Sequence, residues 1–382
     1  MAIDLKLLAD KLKRYRKQFQ VNIPELSSST GIEIERLISM ERAEIEPTGD
    51  EILILADFYK CDYRFFISNQ KLASFEQTEY LFRMYGDDLT KEDRWSIQEV
   101  MFFSECEAFL LSHFDNYRSQ DFYYEKTGSF FKQHAIEAAA RLRGFLGYDD
   151  YQVPMDIYED FRKIGIHLFR RKLINTSISG ICIKHPVAGK CVLVNYDEDI
   201  YRQRFTTAHE VGHSLLDDDN DVVVSYKRWG KSDLVEIRAN TFASNYLLPP
   251  SFLKKIPEAS NWNEKKAIEW ANKLKVSTEA LAYALLDARL IQAEMVELIK
   301  SVRVPREDKI DPELPMSLSE KGRERKRILL ERGLSSKYVN LCIEAYRREI
   351  ISAARMAEML LVEEFELALI LQLYGEEIRY GG

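Results

Sequence analysis

Thr206-Thr207-Ala208-His209-Glu210-Val211-Gly212-His213-Ser214-Leu215-Leu216 holds the pattern H-E-x-x-H. On a helix, His209 and His213 stand one turn apart and leave the same face. Two imidazoles so spaced can reach one tetrahedral Zn²⁺. Glu210 lies beside that face, where it can take a proton from an attacking water rather than ligate the metal. Phe205, Ala208, Val211, Gly212, Leu215 and Leu216 give the helix the apolar surface to be buried. Only 6 His occur in 382 residues, so a pair at this spacing around a Glu argues for a hydrolytic metal centre over two solvated histidines.

A third ligand can come from two places. The pattern H-E-x-x-H-x-x-G-x-x-[HD] puts Asp219 at its last position, but Leu216 stands where the sharp turn needs Gly. The other place is a second helix. Residues 233–248 read D-L-V-E-I-R-A-N-T-F-A-S-N-Y-L-L ahead of Pro249-Pro250. Leu234, Ile237, Thr241, Ser244 and Leu248 mark one face, and Val235, Ala239, Phe242, Ala243 and Tyr246 another, so this helix reads as largely buried. A buried Glu236 needs a partner, because a lone buried carboxylate is costly, and zinc would be that partner. Glu236 is favoured over Asp219.

Together these residues resemble the ImmA/IrrE family of zinc metallopeptidases, found in bacteria, mobile elements and phages. The resemblance rests on Arg204-Phe205-Thr206-Thr207-Ala208-His209-Glu210-Val211-Gly212-His213, then Glu236, Ala239-Asn240, Phe242-Ala243 and Leu247-Leu248-Pro249. It covers roughly residues 135–300. It implies that His209, His213 and Glu236 hold Zn²⁺ and that Glu210 is the catalytic base. It also implies a substrate of the helix-turn-helix repressor class, whose cleavage relieves repression. Val276-Ser277 and the following helix resemble a further family segment, but Ala284 replaces its usual Arg.

Composition narrows the class. A net charge of −8 argues against wholesale nucleic-acid binding. The five cysteines, at 61, 106, 182, 191 and 342, form no C-x-x-C pair and no disulfide framework, which fits a reducing cytosol. The first residues, Met-Ala-Ile-Asp-Leu-Lys, lack a basic-then-apolar leader, and no apolar run reaches 18 residues. A cytoplasmic protein without a membrane partner is expected.

The predicted fold class is α+β: mainly helical, with a zincin-like core of a small sheet and the H-E-x-x-H helix between helical N- and C-terminal modules. Residues 1–70 read as short helices, with Asn22 a cap, Gly31 a stop and Ile34, Leu37 and Ile38 on the next helix. This order resembles an XRE-type helix-turn-helix domain. Its recognition helix would offer Glu33, Ile34, Glu35 and Arg36, and the region holds ten Lys or Arg against twelve Asp or Glu. Carboxylates suit a phosphate-lined groove poorly, so protein recognition or dimerisation is expected at least as much as DNA binding. A basic cluster, Lys11 to Lys17, reads equally well as a solvated face.

Residues 71–134 read as a helical connector with a long helix over Trp95–Phe114 and a loop or helix edge over 122–131. The peptidase unit spans 135–302, with strands at Gly165–Arg170, Ser179–Lys184 and Lys190–Asn195. One of the latter two, Ser179–Lys184 or Lys190–Tyr196, is the candidate to accept a substrate backbone as an added strand. His113, His134, His167 and His185 fall outside metal spacing. Residues 303–320 carry three prolines among charges and read as a linker. Residues 321–382 form a helical, helix-turn-helix-like module that begins with the basic run Lys321–Arg327. That run could touch nucleic acid or an acidic partner, and a solvated helix start explains it as well.

The expected activity is zinc-dependent endopeptidase action on a partner protein, a helix-turn-helix repressor, switching gene expression in a stress, phage or mobile-element response. Tyr196 and Tyr246 are candidate donors to the oxyanion. Two alternatives stand: a DNA-binding regulator with a sensory or vestigial peptidase domain, and a toxin or defence component restrained by an antitoxin.

Overall fold

A computed structural model describes residues 3–61, 63–69, 89–114, 122–126, 131–185, 187–217, 222–226 and 234–377. The architecture is α+β and mainly helical, with one four-stranded sheet of order β1-β3-β2-β4. The strands are β1 His167–Arg171, β2 Ile178–His185, β3 Gly189–Asn195 and β4 Val222–Tyr226. β1 runs parallel to β3; β2 is antiparallel to both β3 and β4. The β2–β3 hairpin matches the reading of the sequence. β4, written Val222-Val-Val-Ser-Tyr226, was not anticipated.

The inner strands explain their own composition. Side chains alternate between two faces with period two. Ile181, Ile183, Cys191 and Leu193 enter one core, while Cys182, Val192 and Val194 enter another. Strands covered on both faces read as near-continuous apolar runs, as these do.

The first core joins both ends of the chain. Five helices open it: α1 Leu5–Gln18, α2 Ile23–Thr30, α3 Ile34–Glu41, α4 Gly49–Phe58 and α5 Tyr63–Ile67. Asn22 caps α2, and Gly31 ends it at φ +73°, a left-handed turn that glycine adopts without strain. Leu8, Leu12, Tyr15, Leu26, Leu37 and Leu55 fill the centre of this bundle. The basic cluster on α1 divides: Lys11 is buried and donates to the carbonyls of Phe65 and Ser68, while Lys13, Arg14 and Lys17 face solvent.

Helix α6, Lys91–Ser112, ties the bundle to the rest. Trp95 stacks on Phe19 at 4.4 Å between centroids, and Phe103 packs on both Phe169 of β1 and Tyr338. Tyr338 belongs to the C-terminal set α15 Glu320–Glu331, α16 Ser336–Arg347, α17 Ala353–Met359 and α18 Glu364–Leu373. The C-terminal module therefore shares a core with the N-terminal bundle and one face of the sheet. Gly128 and the whole of the 71–88 stretch lie outside the described residues.

The second core lies on the other face. It gathers α7 Phe131–Phe145, α8 Ile157–Lys163, α9 Ile200–Leu216, α10 Leu234–Leu247, α11 Pro250–Leu253, α12 Glu264–Leu274, α13 Thr278–Asp287 and α14 Ala293–Ser301. The stretch read as a linker is fastened down. Buried Arg170 pairs with Asp311 and Glu313, and Arg162 with Glu313, so residues 306–314 form a strap over β1 and α8. Among the described residues no helix is long and apolar enough to cross a membrane, and all five cysteines are free thiols.

Candidate metal centre

Helix α9 carries the H-E-x-x-H residues and is almost wholly buried. Asp199 caps it by accepting the Tyr201 N–H at 3.0 Å. Arg204, 1% exposed, anchors it by donating to the carbonyls of Lys275, Met155 and Pro154. A charged group so enclosed is tolerable because its donors are satisfied. Gly212 allows the second helix close: a Cβ there would stand 3.2–3.3 Å from Phe242 and Ala239 of α10. That approach brings Glu236, in the first turn of α10, over the two imidazoles.

The three expected ligands converge. The Nε2 atoms of His209 and His213 lie 2.9 Å apart. Glu236 Oε2 is 3.4 Å from His209 Nε2, and Glu236 Oε1 is 3.3 Å from His213 Nε2. Atoms coordinated to one tetrahedral zinc at ordinary bond lengths stand about 3.3 Å from one another. Among the described residues this is the one His/Cys/Asp/Glu group compact enough to hold a metal ion. Glu236 Oε2 is buried without a hydrogen-bond partner, as an atom awaiting a cation would be. Two imidazoles and a carboxylate are a donor set suited to Zn²⁺. Asp219, the other candidate, lies outside the described residues.

Charge states agree with this fit. Burial pushes the His209 imidazole down to about 4, which keeps it neutral. Burial alone would raise Glu236, but the facing His209 and His213 outweigh it and bring the carboxyl down to about 2. Metal ligands must be deprotonated, and the directions at His209 and Glu236 meet that condition.

Glu210 is fully buried, with neither carboxylate oxygen hydrogen-bonded. Burial pushes it up to about 8. Its neighbour was not foreseen. Gly180 of β2 lies so near that a Cβ would stand 2.7 Å from Glu210 Oε1 and 2.8 Å from Thr206 Cγ2. Gly inside a strand marks such close approaches, and this was the available signal.

Two further groups orient the imidazoles. Asp217 Oδ2 meets His213 Nδ1 at 2.7 Å and its Oδ1 pairs with Arg238, while Asn240 Oδ1 meets His209 Nδ1 at 3.1 Å. Such partners fix the tautomer that leaves Nε2 free to bind a metal. The clue in each case was helical spacing: Asp217 follows His213 by four and Asn240 follows Glu236 by four.

Other expectations are corrected. The strands proposed to receive a substrate, Ser179–Lys184 and Lys190–Tyr196, lie inside the sheet with both backbone edges paired. Among the described residues the edge near Glu210 is β4, whose Ser225 is in register with Gly180. Neither tyrosine proposed as an oxyanion donor faces the cluster. The Tyr246 hydroxyl bonds Asp160, and the Tyr196 ring lies against Arg170. His167 and His185 pair with Glu107 and Glu105, away from the centre. On the remaining side, a cavity of about 420 Å³ opens between α9, α10 and α13, with Phe205, Thr206, Ile237, Asn240 and Tyr283 in its wall.

Comparison with known proteins agrees with this geometry. Residues 161–286 match the IrrE N-terminal-like domain, Peptidase_M78. The radiation response metalloprotease IrrE of Deinococcus radiodurans is 31% identical over 100 residues, covering 25% of this chain and 30% of that protein.

Proposed function

With residues 161–286 an IrrE-type domain of the ImmA/IrrE family, we propose that this chain is a zinc-dependent endopeptidase acting on a partner regulator. The observation that carries the reading is the His209–His213–Glu236 cluster beside the fully buried carboxylate of Glu210. These three residues would hold Zn²⁺, which when bound would supply a Lewis acid to the attacking water and the scissile carbonyl. Glu210 accepts the proton of the attacking water and delivers it to the leaving amine. Its burial suits both halves, since a carboxyl titrating near neutrality can take and return a proton. The bare Cα of Gly180 fixes where that carboxylate sits.

The substrate backbone adds to β4 as a further strand, about 4.8 Å beyond it. A substrate side chain enters the cavity beside Asn240 and Thr206. Main-chain pairing of this kind requires an extended segment, so the target is a loop or linker of the partner. A helix-turn-helix repressor with an exposed interdomain linker meets that requirement. The N-terminal bundle serves as a docking module for protein rather than DNA. Arg36, the cation offered by α3, is engaged by Glu51, and Glu33 and Glu35 flank it.

The test pairs wild type with Glu210→Gln. Each is incubated with helix-turn-helix regulators encoded beside its gene, and fragments are read by mass spectrometry. The variant should hold zinc in wild-type amount and lose cleavage by on the order of 10³-fold or more. Cleavage at the wild-type rate by this variant would remove Glu210 from the mechanism.

A further inference from the structure

The strap and the start of α15 enclose an open groove of about 810 Å³. Six cationic side chains line it: Arg306, Lys309, Lys321, Arg323, Arg325 and Arg327. Three carboxylates share the lining, Asp311, Glu320 and Glu324. Internal pairing removes most of the negative charge, for Asp311 is held by Arg170 and Glu324 by Arg327. Lys309 is likewise engaged by Asp199. Among the described residues, Arg306, Lys321, Arg323 and Arg325 have no ion-pair partner, and they share the groove with one unpaired carboxylate, Glu320. The Arg323 Nε is buried without a hydrogen-bond acceptor. In a chain of net charge −8, this concentration of unpaired cations is local and specific.

Planar guanidinium forks match the oxygens of phosphate groups. The groove volume falls within the span of small-molecule sites, roughly 300–1,000 Å³. A long nucleic-acid strand would extend beyond a groove of this size. We propose that this groove binds a small ligand carrying two or more linked phosphates, either a nucleotide or a free phosphate chain.

The groove is also wired to the metal helix. Lys309 pairs with Asp199, the cap of α9. Asp311 holds Arg170, which donates to Gln203 of α9 at 3.2 Å. A ligand that competes for Lys309, or that reorients the strap, acts on the first turn of the helix carrying His209 and Glu210. Occupancy of the groove is therefore felt at residues 200–204. Binding itself does not depend on the peptidase reading, and its failure would leave that reading intact.

The experiment titrates the full chain with inorganic tripolyphosphate, with ATP and with a single-stranded oligonucleotide of about 20 nucleotides, by calorimetry. Amide exchange over residues 200–204 is measured alongside. Saturable one-to-one binding of tripolyphosphate or ATP is expected, weakened roughly tenfold or more by Arg323→Ala with Arg325→Ala. Exchange over 200–204 should change on binding. ATP much tighter than tripolyphosphate identifies a nucleotide, and equal affinities identify a phosphate chain. If the double variant melts early, exposed Arg325→Glu alone should weaken binding to a similar degree. Absence of saturable binding by both small ligands, undiminished binding in the folded variants, or binding of the oligonucleotide alone would overturn the site. Binding with unchanged exchange at 200–204 would overturn its link to the helix.

Discussion

Replacing Asp217 by Asn should weaken zinc binding by about tenfold and leave the protein folded. Asp217 is 4% exposed and uses both oxygens, one on His213 Nδ1 at 2.7 Å and one on Arg238. The carboxylate holds the His213 proton on Nδ1, so the Nε2 lone pair points into the cluster, and it makes that nitrogen a stronger donor to metal. Asn keeps an acceptor in place but discards the charge, turning a charge-assisted bond into a neutral one of about half the strength. The difference is roughly 1–1.5 kcal/mol, or about tenfold in affinity. Asp217→Ala removes the acceptor too and should cost up to about 100-fold. It also strips the carboxylate from nearly buried Arg238, which should lower stability by on the order of 3–5 kcal/mol. Competition against a chelator of known zinc affinity reads the first effect, and melting with and without zinc reads the second. The two variants should rank Asn before Ala in both. Zinc bound as tightly as in wild type by both folded variants would refute the claim that Asp217 orients a metal-binding imidazole.

Two other substitutions probe the neighbourhood. In Gly180→Ala, the new Cβ must gain about 0.7 Å to reach ordinary contact with Glu210, so the carboxylate or strand β2 must shift. Zinc content should be unchanged, stability lower by about 1–3 kcal/mol, and cleavage of the identified substrate slower by about 10²-fold. Added to Glu210→Gln, the same change should cost no further activity, and an additive loss would show that Gly180 acts elsewhere. Asp160→Asn tests a buried carboxyl that accepts from the Tyr148 and Tyr246 hydroxyls and whose pKa burial raises above the ordinary value for Asp. The native state then keeps a proton that the unfolded chain releases, so wild type loses stability as pH rises from the ordinary Asp value through the raised one. The stability difference, variant minus wild type by denaturant titration, should grow from acidic to neutral pH; a constant difference would contradict the raised value.

The parts of this molecule legible from sequence are those with local periodic signals. His209, Glu210 and His213 lie on one helix, and the amphipathic pattern around Glu236 marked a second. Their convergence needed only one contact between two helices. The β2–β3 hairpin was also legible, because turn residues separate two apolar runs. Strand order was not. Whether β2 is an edge depends on β4, thirty-seven residues after the hairpin begins to close, and nothing local in Ser179–Lys184 reports that pairing. The strap was misread for a related reason. Prolines and charges between 303 and 320 look like solvated linker until Arg170, on a distant strand, supplies the counter-charges for Asp311 and Glu313. Composition registers the charges but not their partners.

The sheet explains how separate modules can bear on one site. Strand β2 presents Gly180 to Glu210 on one face, while Ile181 and Ile183 enter the core shared with α6 on the other. Helix α6 in turn carries Trp95 against Phe19 of the N-terminal bundle and Phe103 against Tyr338 of the C-terminal set. Close-packed interiors transmit small displacements rather than absorb them. The N-terminal bundle is thus connected to the carboxylate of Glu210 through two layers of side chains, by way of α6 and a strand that has no Cβ at the point of contact. The absence of that Cβ leaves the Glu210 carboxylate a tight fit on β2, so movement of the strand moves the wall against which the base rests. Removing residues 321–377 would uncover Phe103 and the adjoining face of β1, so the peptidase unit is not separable from its C-terminal module without loss of the surface that supports the sheet.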